Sequence, residues 1–565
     1  MLSEIFIFLF FYILIIISII GYGLSVGNIL RLNLLKTNIG IIGLLGLFFL
    51  ALISYFTHLF FSHGYTHNLI INFIGNIIFF FFIFKNPTYF KKHLLKLVLF
   101  ILLFLPGLFI SKNHDDFPYY HLPYILNLIE NKIQFGLGNL NIAFRTPSSL
   151  FYIQSLFYFP FLKYYLVHSL GLIILIFTNL ILIEFILNKN NNYFKNFLKI
   201  LSSLSFLFIN IQFWRLSEFG TDRGGQLISL IVFLYIFIIL NDNKNRSLFL
   251  QNIKVSIFLL IFLISIKSYF LSYALLFIII FYKVCSENLI KKILSDFFLI
   301  LLIFIFILLF SIVNFSNSGC FIYPLQFTCY YNFLWSVDEK EVFELSKWYE
   351  IWSKSGAGPN FRVENPDNYI KGLNWITGWF TRYFLNKPLD VLGLIFVISV
   401  FYSVLIKFNS KYIIKKVIYL PVFLAILTLF FVWFLKHPDL RYGGFILLSV
   451  IFFAPLSLYL SNFLLSNFKK KVLASVIILV VISYPLRNIY RINQELNRND
   501  NFKYNSFPYF HVEKIKYKEK TLGENNIKFY LSEDPWCWAT PSPCSTDNTI
   551  NVQNLNGYNI FFKKK

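Results

Sequence analysis

Fourteen apolar runs limit what this chain can fold into, because each is long enough to cross the hydrocarbon core of a bilayer. Only 14% of the 565 residues are charged and 57% are hydrophobic, a composition that excludes an ordinary soluble globular protein. The sequence therefore predicts an all-α polytopic membrane protein with about 14 transmembrane helices. The runs lie near residues 5–24, 39–61, 68–84, 94–111, 165–187, 196–213, 225–240, 254–267, 269–284, 293–314, 389–407, 416–435, 444–461 and 470–486.

The positive charges predict an orientation in the membrane. Lys and Arg cluster in alternate loops close to the ends of the runs, and such charges mark the cytoplasmic side of a span. This rule puts both termini outside. It also accounts for the formal net charge of +23 without a nucleic-acid partner. The loops predicted inside are Arg31 to Lys36, Lys85 to Lys96, Lys189 to Lys195, Lys244 to Lys254, Lys291–Lys292, Lys407 to Lys416 and Lys469 to Lys471.

Two apolar segments leave an alternative to weigh. Residues 254–284 could form one long tilted helix, but that would invert the predicted orientation of everything after it, so two short spans meeting near Lys267 are favoured. The first run lacks a small-residue cleavage site, so we expect an anchor rather than a removed signal peptide.

The stretch from Asn113 to Tyr124, here called the acidic loop, is the first large loop on the predicted exterior face. It carries the adjacent carboxylates of Asp115 and Asp116, with His114 and His121 on either side. Charges at the edge of a bilayer are costly to keep there without a function. The alternative is a solvated Asp-Asp turn with Pro118 as the turn residue.

Two amphipathic helices are predicted after these carboxylates. Leu122, Ile125, Leu126 and Ile129 repeat at helical spacing, and a second apolar stripe runs through residues 147–159. We expect both helices to lie in the membrane interface, which would hold the carboxylates at the depth of a lipid headgroup.

Basic residues on the same predicted face are candidates for binding an anion. Lys267 interrupts an apolar region, although a lysine at a helix end also occurs simply because it reaches water. Asp222 and Arg223 lie between glycines that would let a phosphate or a sugar approach the backbone, and the alternative is a tight turn between helices.

Two further candidates lie in other exterior loops. Arg441 belongs to a dense polar cluster with His437 and Asp439, whereas Arg145 stands between the predicted amphipathic helices. Arg145 and the nearby tryptophans of residues 315–388 could stack on sugar rings, although interfacial tryptophans more often serve as plain anchors.

The cysteines agree with this topology. Cys320 and Cys329 fall in one exterior loop, Cys537 and Cys544 fall in the exterior tail, and Cys285 falls inside. An oxidising compartment would join each exterior pair, so we expect the disulfides Cys320–Cys329 and Cys537–Cys544. The alternative is that these cysteines are unpaired small hydrophobic residues.

An Asp-Asp pair in an early exterior loop, followed by helices beside the membrane, resembles the GT-C superfamily of polytopic glycosyltransferases. Lys267 at the end of a short span pair and the Arg441-Tyr442 dipeptide after the large exterior loop are similar to features of that superfamily. The resemblance covers roughly residues 94–460. The segment Trp536 to Cys544 also resembles the tail of a group of uncharacterised bacterial relatives with the same acidic loop, whereas the three extra N-terminal spans depart from the common pattern.

The resemblance implies transfer of a sugar from a polyprenyl-phosphate carrier to an exterior glycan or lipid acceptor, in the synthesis of cell-envelope polysaccharide. Asp115 and Asp116 would act as the base or hold a divalent cation such as Mg²⁺ or Mn²⁺. Positive side chains would neutralise the departing phosphate, and polar neighbours would orient these groups. The expected phosphate ligands are Arg145, Arg223, Lys267 and Arg441, and the expected neighbours are His114, His121, Asp222 and His437.

Two other functions are alternatives to glycosyl transfer. An O-antigen polymerase or ligase is one alternative, and it would rely on exterior arginines and a histidine. A transporter or flippase is a second alternative, but its charges would gather near the middle of the membrane.

The resemblance also implies a division of the chain into five parts. The expected parts are 1–84 as extra N-terminal spans, 85–314 as a GT-C-like seven-helix core with the exterior loop 112–163, 315–388 as an exterior loop domain, 389–486 as C-terminal spans, and 487–565 as a small exterior α/β cap.

Overall fold

A computed structural model describes the chain over nine segments, and twelve helices within them are long and apolar enough to cross a membrane. The chain is therefore a mostly helical, multi-pass membrane protein. The described segments are 2–188, 193–218, 221–241, 245–357, 363–406, 419–462, 467–497, 504–523 and 526–563. The helices are Leu2–Ile29, Ile39–His58, Tyr65–Lys85, Pro87–Phe109, Ser169–Ile186, Tyr193–Gln212, Asp222–Asn241, Arg246–Ile266, Ser268–Ser286, Phe297–Ser318, Leu440–Leu460 and Asn467–Asn497.

The predicted count of fourteen spans becomes twelve, or thirteen if one bent pair is a single span. Trp375–Phe384 and Pro388–Val404 pass the same test only together, and they meet at an angle of 62°. The proline at the start of the second helix cannot continue the hydrogen-bond ladder of the first, which accounts for a break there. The run predicted at 416–435 forms the shorter apolar helix Leu420–Lys436.

The backbone breaks at Lys267, where the sequence favoured two spans over one. Lys267 is extended, with φ −158° and ψ 142°, between the helix ending at Ile266 and a 3-10 turn over Ser268–Ala274. The α-helix Leu275–Ser286 follows. This break brings the Lys267 side chain out of the helical repeat at the end of a span.

Shorter helices lie in the connections between the spans, both on the face that carries the acidic loop and on the other face. In this chain's described part they are Leu34–Lys36, Phe117–His121, Leu122–Glu130, Leu137–Leu140, Ile142–Arg145, Ser149–Ser155, Leu216–Glu218, Ile290–Leu294, Gln326–Thr328, Glu339–Lys354, Pro366–Ile370 and Leu440–Gly444, the last being the start of a longer span.

The two helices predicted to lie in the membrane interface are instead buried in protein. Every residue from Leu122 to Ile129 is buried, as is every residue of Ser149–Ser155. Their polar side chains bond internally: Asn127 donates to Gln134 Oε1 at 3.0 Å, and Gln154 donates to the Val167 carbonyl at 2.8 Å. An amphipathic pattern shows that one helix face is polar, but here protein rather than water satisfies that face.

The three N-terminal helices pack tightly against each other and against the rest of the protein. A Cβ atom on Gly46 would lie 1.9 Å from the Ile19 carbonyl oxygen, so only glycine permits this approach of the first two helices. The second helix reaches the centre of the protein, where Tyr55 and Ser149 share a hydrogen bond of 2.8 Å. These helices are part of the main helical body.

Beyond the last helix, the described tail residues form strands and no helix. The predicted α/β cap is therefore β-structured in its described part, and the preceding helix continues to Asn497, past the predicted boundary at residue 486. An Asn556-Gly557 turn with positive φ at both residues joins the last two strands, as such hairpins require. The strands are Tyr517–Leu522, Ile527–Ser532, Cys544–Ser545, Ile550–Leu555 and Tyr558–Lys563, in a three-stranded and a two-stranded sheet.

The tail packs directly on the acidic loop and the segment after it. The Trp538 amide donates to the Pro118 carbonyl at 3.1 Å, and Asn113 donates to the His511 carbonyl at 2.6 Å. The structure joins Cys320 to Cys329 and Cys537 to Cys544, and Cys285 is a free thiol. The second disulfide therefore closes the part of the tail that holds the acidic loop.

Part of the loop-charge pattern lies outside the described residues. The predicted inside loop Lys407 to Lys416 is wholly outside them, as are residues 189–192 and Lys244 of two other predicted inside loops.

Candidate active site

The two aspartates of the acidic loop have different surroundings. Asp115 is exposed, whereas the side chain of Asp116 is 27% exposed and faces other charged groups. The Asp116 amide donates to His114 Nδ1 at 3.1 Å, which fixes the turn just before the helix that starts at Phe117. The predicted pair therefore separates into one solvated carboxylate and one that belongs to a cluster.

Asp116 is the first member of a chain of opposite charges. Its Oδ2 atom lies 3.4 Å from Arg441 Nη1, and Arg441 Nε lies 3.7 Å from Asp222 Oδ2. Asp222 in turn forms an ion pair with Lys267. These four residues, here called the charged cluster, come from four separate parts of the chain. Arg441 and Lys267 keep side-chain exposures of 28% and 21%, so a ligand can reach both cations.

Arg441 is held in place from several sides. Its Nε atom lies 3.5 Å from Asp439 Oδ2, and its guanidinium stacks over the Trp352 ring with 4.8 Å to the centroid. Asp439 is braced by the Tyr383 hydroxyl, which donates to it at 2.8 Å. A guanidinium fixed by a carboxylate and an aromatic face loses little freedom when it binds an anion.

The helix after Arg441 begins with a kink that requires glycine. Gly443 has φ 95°, and a Cβ atom there would lie 2.9 Å from the Tyr269 ring. Gln226 then joins this kink to the helix that carries Asp222, because its side-chain amide donates to the Arg441 carbonyl at 2.9 Å. The neighbouring backbones therefore fix the spacing between Arg441 and Asp222.

The titratable groups of the acidic loop are tuned by burial and by Arg441. Burial opposes ionisation of Asp116, but Arg441 and the nearby histidines and Lys267 hold the pKa of Asp116 below its usual value. Burial lowers the pKa of His114 and brings that of His121 to about 4. At neutral pH the loop therefore carries an ionised Asp116 between two neutral imidazoles.

Tyr120 is a member of the site that the sequence did not reveal. Burial, and then the nearby Asp116 and Asp222 carboxylates, raise the pKa of Tyr120 well above its usual value. The phenol stays protonated at neutral pH and is available as a hydrogen-bond donor. Its only signal in the sequence was its place in the acidic loop.

Arg145, a predicted phosphate ligand, is bound by protein partners in the structure. It is buried, its Nε atom donates to the Gly138 carbonyl at 2.9 Å, and it forms an ion pair with Glu341. Its Nη1 atom donates to the Tyr323 hydroxyl at 3.2 Å. Arg145 thus ties the segment after the acidic loop to the helix Glu339–Lys354, and a phosphate would have to displace these contacts.

Two other predicted residues point elsewhere. The Arg223 guanidinium lies 5.9 Å from the centroid of the Phe213 ring, and its foremost charge interaction is with Glu218. A helix turns by about 100° per residue, so Arg223 leaves the face that its neighbour Asp222 occupies. His437 Nδ1 lies 3.4 Å from Ser353 Oγ, and burial lowers the pKa of His437 to about 4.

The charge balance of the site bears on a metal ion. Asp116, Asp222 and Asp439 face the two cations Arg441 and Lys267, which leaves one negative charge in excess. In the described residues, no three His, Cys, Asp or Glu side chains form a metal-binding group. Mg²⁺ bound with a phosphate needs only one or two carboxylates, so the partly exposed Asp116 fits such an ion. Asp115 is exposed to solvent.

An apolar groove lies beside the end of the span that precedes Lys267. It has a volume of about 520 Å³ and lies between the helices Arg246–Ile266, Ser268–Ser286 and Phe297–Ser318. A smaller cavity lined by Lys267 and Tyr323 continues it and shares several wall residues with it. The shared residues are Ile264, Ser265, Leu271, Phe310 and Ile322. The end of the groove that these shared residues line is therefore next to Lys267.

The sequence profile of a family described as a domain of unknown function (DUF8201) matches residues 5–448. The match begins in the first spanning helix and includes Asp116, Asp222, Lys267 and Arg441. No curated protein and no solved structure matches the chain.

Proposed function

We propose that this chain, which belongs to the DUF8201 family, is a glycosyltransferase that takes a sugar from a polyprenyl-phosphate carrier in the membrane. The observation that carries the proposal is the apolar groove next to Lys267, from which ion pairs run through Asp222 and Arg441 to Asp116. A lipid phosphate matches this arrangement, because it has a long apolar hydrocarbon chain and a negatively charged phosphate at one end.

The groove is suited to a hydrocarbon chain rather than to a polar substrate. Its walls are almost wholly Ile, Leu, Phe and Val side chains, with Ser265 and Ser311 as the polar residues. Burying each methylene group contributes about 0.8 kcal/mol, so a prenyl chain gains substantial binding energy there. The sugar and phosphate would then project towards the charged cluster.

The cations of the charged cluster would take the phosphate. Lys267 is paired with Asp222, and the Lys267 ammonium also lies 4.7 Å from the centroid of the Tyr442 ring. A phosphate beside Lys267 would exchange part of the Asp222 contact for its own oxygens, and Arg441 is near enough to share the charge. A divalent cation, when bound through Asp116 and the phosphate, would neutralise the remaining negative charge.

The reaction requires one bond to form and one to break at the anomeric carbon. The acceptor hydroxyl oxygen attacks this carbon, and the bond between the carbon and the phosphate oxygen breaks, so that the electron pair leaves with the polyprenyl phosphate. Asp116 holds the acceptor hydroxyl in line and accepts its proton as that bond forms. Because its pKa is below the usual value, Asp116 is a weak base, which suits a hydroxyl that loses its proton late.

The acceptor and the compartment are part of the same proposal. The acceptor is a glycan or a lipid on the exterior face of a bacterial inner membrane, and both termini lie on that face. The loop charges support this orientation, since Lys and Arg gather in the alternate loops.

Replacing each aspartate separately tests the function. The purified chain, in nanodiscs made from extracted membrane lipids that supply glycan and lipid acceptors, is given synthetic polyprenyl-phosphate hexoses and pentoses, and the release of polyprenyl phosphate is measured. We expect Asp116→Asn to lower the rate at least roughly 100-fold and the matched change Asp115→Asn to alter it only a few-fold. Equal rates for wild type and Asp116→Asn, or no release from any donor, would contradict the proposal.

A further inference from the structure

A second pocket lies where three spanning helices end, and no residue of the charged cluster lines it. It has a volume of about 420 Å³. Lys112 follows the span Pro87–Phe109, and Trp214 and Arg215 follow the span Tyr193–Gln212. The rest of the wall comes from the last turns of Asn467–Asn497. The lining residues are Lys112, Trp214, Arg215, Arg487, Tyr490, Arg491, Gln494 and Glu495, here called the basic pocket.

Arg491 is built into this pocket rather than loosely placed on its surface. It is 9% exposed, its Nε atom donates to Glu495 Oε1 at 2.8 Å, and its Nη1 atom pairs with Glu218. Within the described residues, its Nη2 atom has no hydrogen-bond partner. Two carboxylates therefore fix the guanidinium, while one buried nitrogen keeps its hydrogen-bonding capacity for another group.

Two guanidinium groups of the pocket lie beside the ring of Trp214. The guanidinium groups of Arg215 and Arg491 lie 5.9 Å and 6.0 Å from the Trp214 ring centroid. Arg487 is exposed, and within the described part of the chain it donates one long hydrogen bond, 3.3 Å, to the Ile211 carbonyl. With Lys112, four basic residues line the pocket against one carboxylate, Glu495. A second carboxylate, Glu218, pairs with Arg215 and Arg491, so the basic groups are still in excess and an anion is the favoured ligand.

One wall residue of the pocket continues an apolar stripe on the same helix. Tyr490 is 65% exposed, and at helical spacing before it lie Leu479, Ile482 and Leu486, which are 65%, 42% and 60% exposed. Basic and aromatic residues just past the ends of spans lie at the depth of lipid headgroups, and exposed aliphatic residues below them lie against acyl chains. This arrangement distinguishes a lipid from a small soluble anion.

We propose that the basic pocket binds the phosphate group of a membrane lipid, as a site separate from the charged cluster. The phosphate would contact Arg487 and Arg491, and its hydrocarbon chain would lie along the exposed face of the last helix. The proposal does not depend on glycosyl transfer.

Lipid titration of the full chain tests this site. The chain is purified in neutral detergent, and native mass spectrometry counts bound phosphatidic acid, polyprenyl phosphate, phosphatidylcholine or inorganic phosphate. We expect Arg487→Gln to weaken one of the two anionic lipids roughly tenfold, as for the loss of one charge-assisted hydrogen bond. The lipid that is weakened identifies the natural source of the phosphate.

Lys471→Gln is the matched control, because Lys471 is an exposed basic residue at the opposite end of the same helix. It should leave the affinity for both anionic lipids unchanged. Three results would overturn the proposal: no effect of Arg487→Gln on either anionic lipid, equal binding of phosphatidylcholine, or binding of inorganic phosphate as tight as that of the lipids. None of these results bears on transfer, since no sugar donor is present.

Discussion

At the scale of single residues, Arg441 joins the parts of the candidate active site. It contacts Asp116, Asp222 and Asp439 and stacks on Trp352. A lysine would keep the charge but has neither the planar fork nor the stacking surface of arginine. The role of Arg441 can therefore be separated from that of its charge.

Arg441→Lys should lower the rate of polyprenyl-phosphate release roughly 100-fold, as expected for loss of a fixed donor to the leaving phosphate. The matched change Arg382→Lys, at an exposed position outside the charged cluster, should have little effect. Steady-state kinetics with a synthetic donor measure both. Full activity of Arg441→Lys would mean that positive charge alone suffices at this position.

The buried imidazole of His121 predicts how stability depends on pH. Burial lowers its pKa from 6.5 to about 4, so below pH 6.5 the unfolded chain binds a proton that the folded chain refuses. Stability should therefore fall as pH falls from about 6.5 to about 4, by up to on the order of 3 kcal/mol. Thermal unfolding of wild type and His121→Phe measures this effect. An unchanged slope in the variant would show that His121 is not its source.

Several site residues could be predicted from the sequence because they are charged and lie next to apolar segments. Asp116, Lys267 and Arg441 interrupt apolar regions, and the structure brings all three together with Asp222. Arg145, Arg223 and His437 looked similar but have other partners. The partner of Arg145, Glu341, is 196 residues away in the chain, and no local pattern reports such a contact.

At the scale of elements, the groove between three spanning helices determines what the site can bind. Ile307 lines the groove and is 50% exposed, so a larger side chain there would fill the groove without disturbing the core. Phe304 is on the same helix, is 62% exposed and does not line the groove. The two positions make a matched pair.

Ile307→Trp should raise the KM for a long-chain polyprenyl donor roughly tenfold and leave the KM for a short-chain donor almost unchanged. The physical reason is that tryptophan removes space only from the distal part of the hydrocarbon chain. Phe304→Trp should change neither value. An equal effect of Ile307→Trp on both donors would contradict the proposed path of the chain.

Hydropathy and charge predicted where helices lie and break better than they predicted what each helix packs against. The break at Lys267 followed from one charge within an apolar run, and the structure has it at that residue. The burial of Leu122–Glu130 could not be predicted in the same way. Its pattern gives a polar face, but whether Asn127 on that face meets water or Gln134 depends on distant parts of the fold.

At the scale of the whole molecule, the N-terminal helix and the C-terminal tail come together near the acidic loop. The Phe8 ring lies 5.9 Å from that of Phe109 and 6.1 Å from that of Tyr509. Hydropathy predicted the many spans, but it carries no information on which helices are neighbours. The central position of Ile39–His58, expected to be an extension, shows this limit.

Cysteine labelling in intact cells tests the proposed orientation. In a Cys285→Ser background, a membrane-impermeant maleimide should label Asn556→Cys in the tail hairpin. It should not label Lys91→Cys, at an exposed position in the first turns of the helix Pro87–Phe109, until the membrane is opened. This pattern follows from the positive charge near Lys91, which favours the cytoplasmic side. The reverse pattern would invert the orientation and place the acidic loop inside.

The most direct test of the central claim is photo-crosslinking with a polyprenyl phosphate that carries a photoreactive group near its phosphate. Mass spectrometry of the digested protein then locates the label. We expect the label on the walls of the groove close to Lys267, such as Ser265, Leu271 and Ile322. Unlabelled polyprenyl phosphate should compete with the probe and remove this label. Label confined to other helices, or unaffected by the competitor, would contradict delivery of a lipid phosphate to the charged cluster.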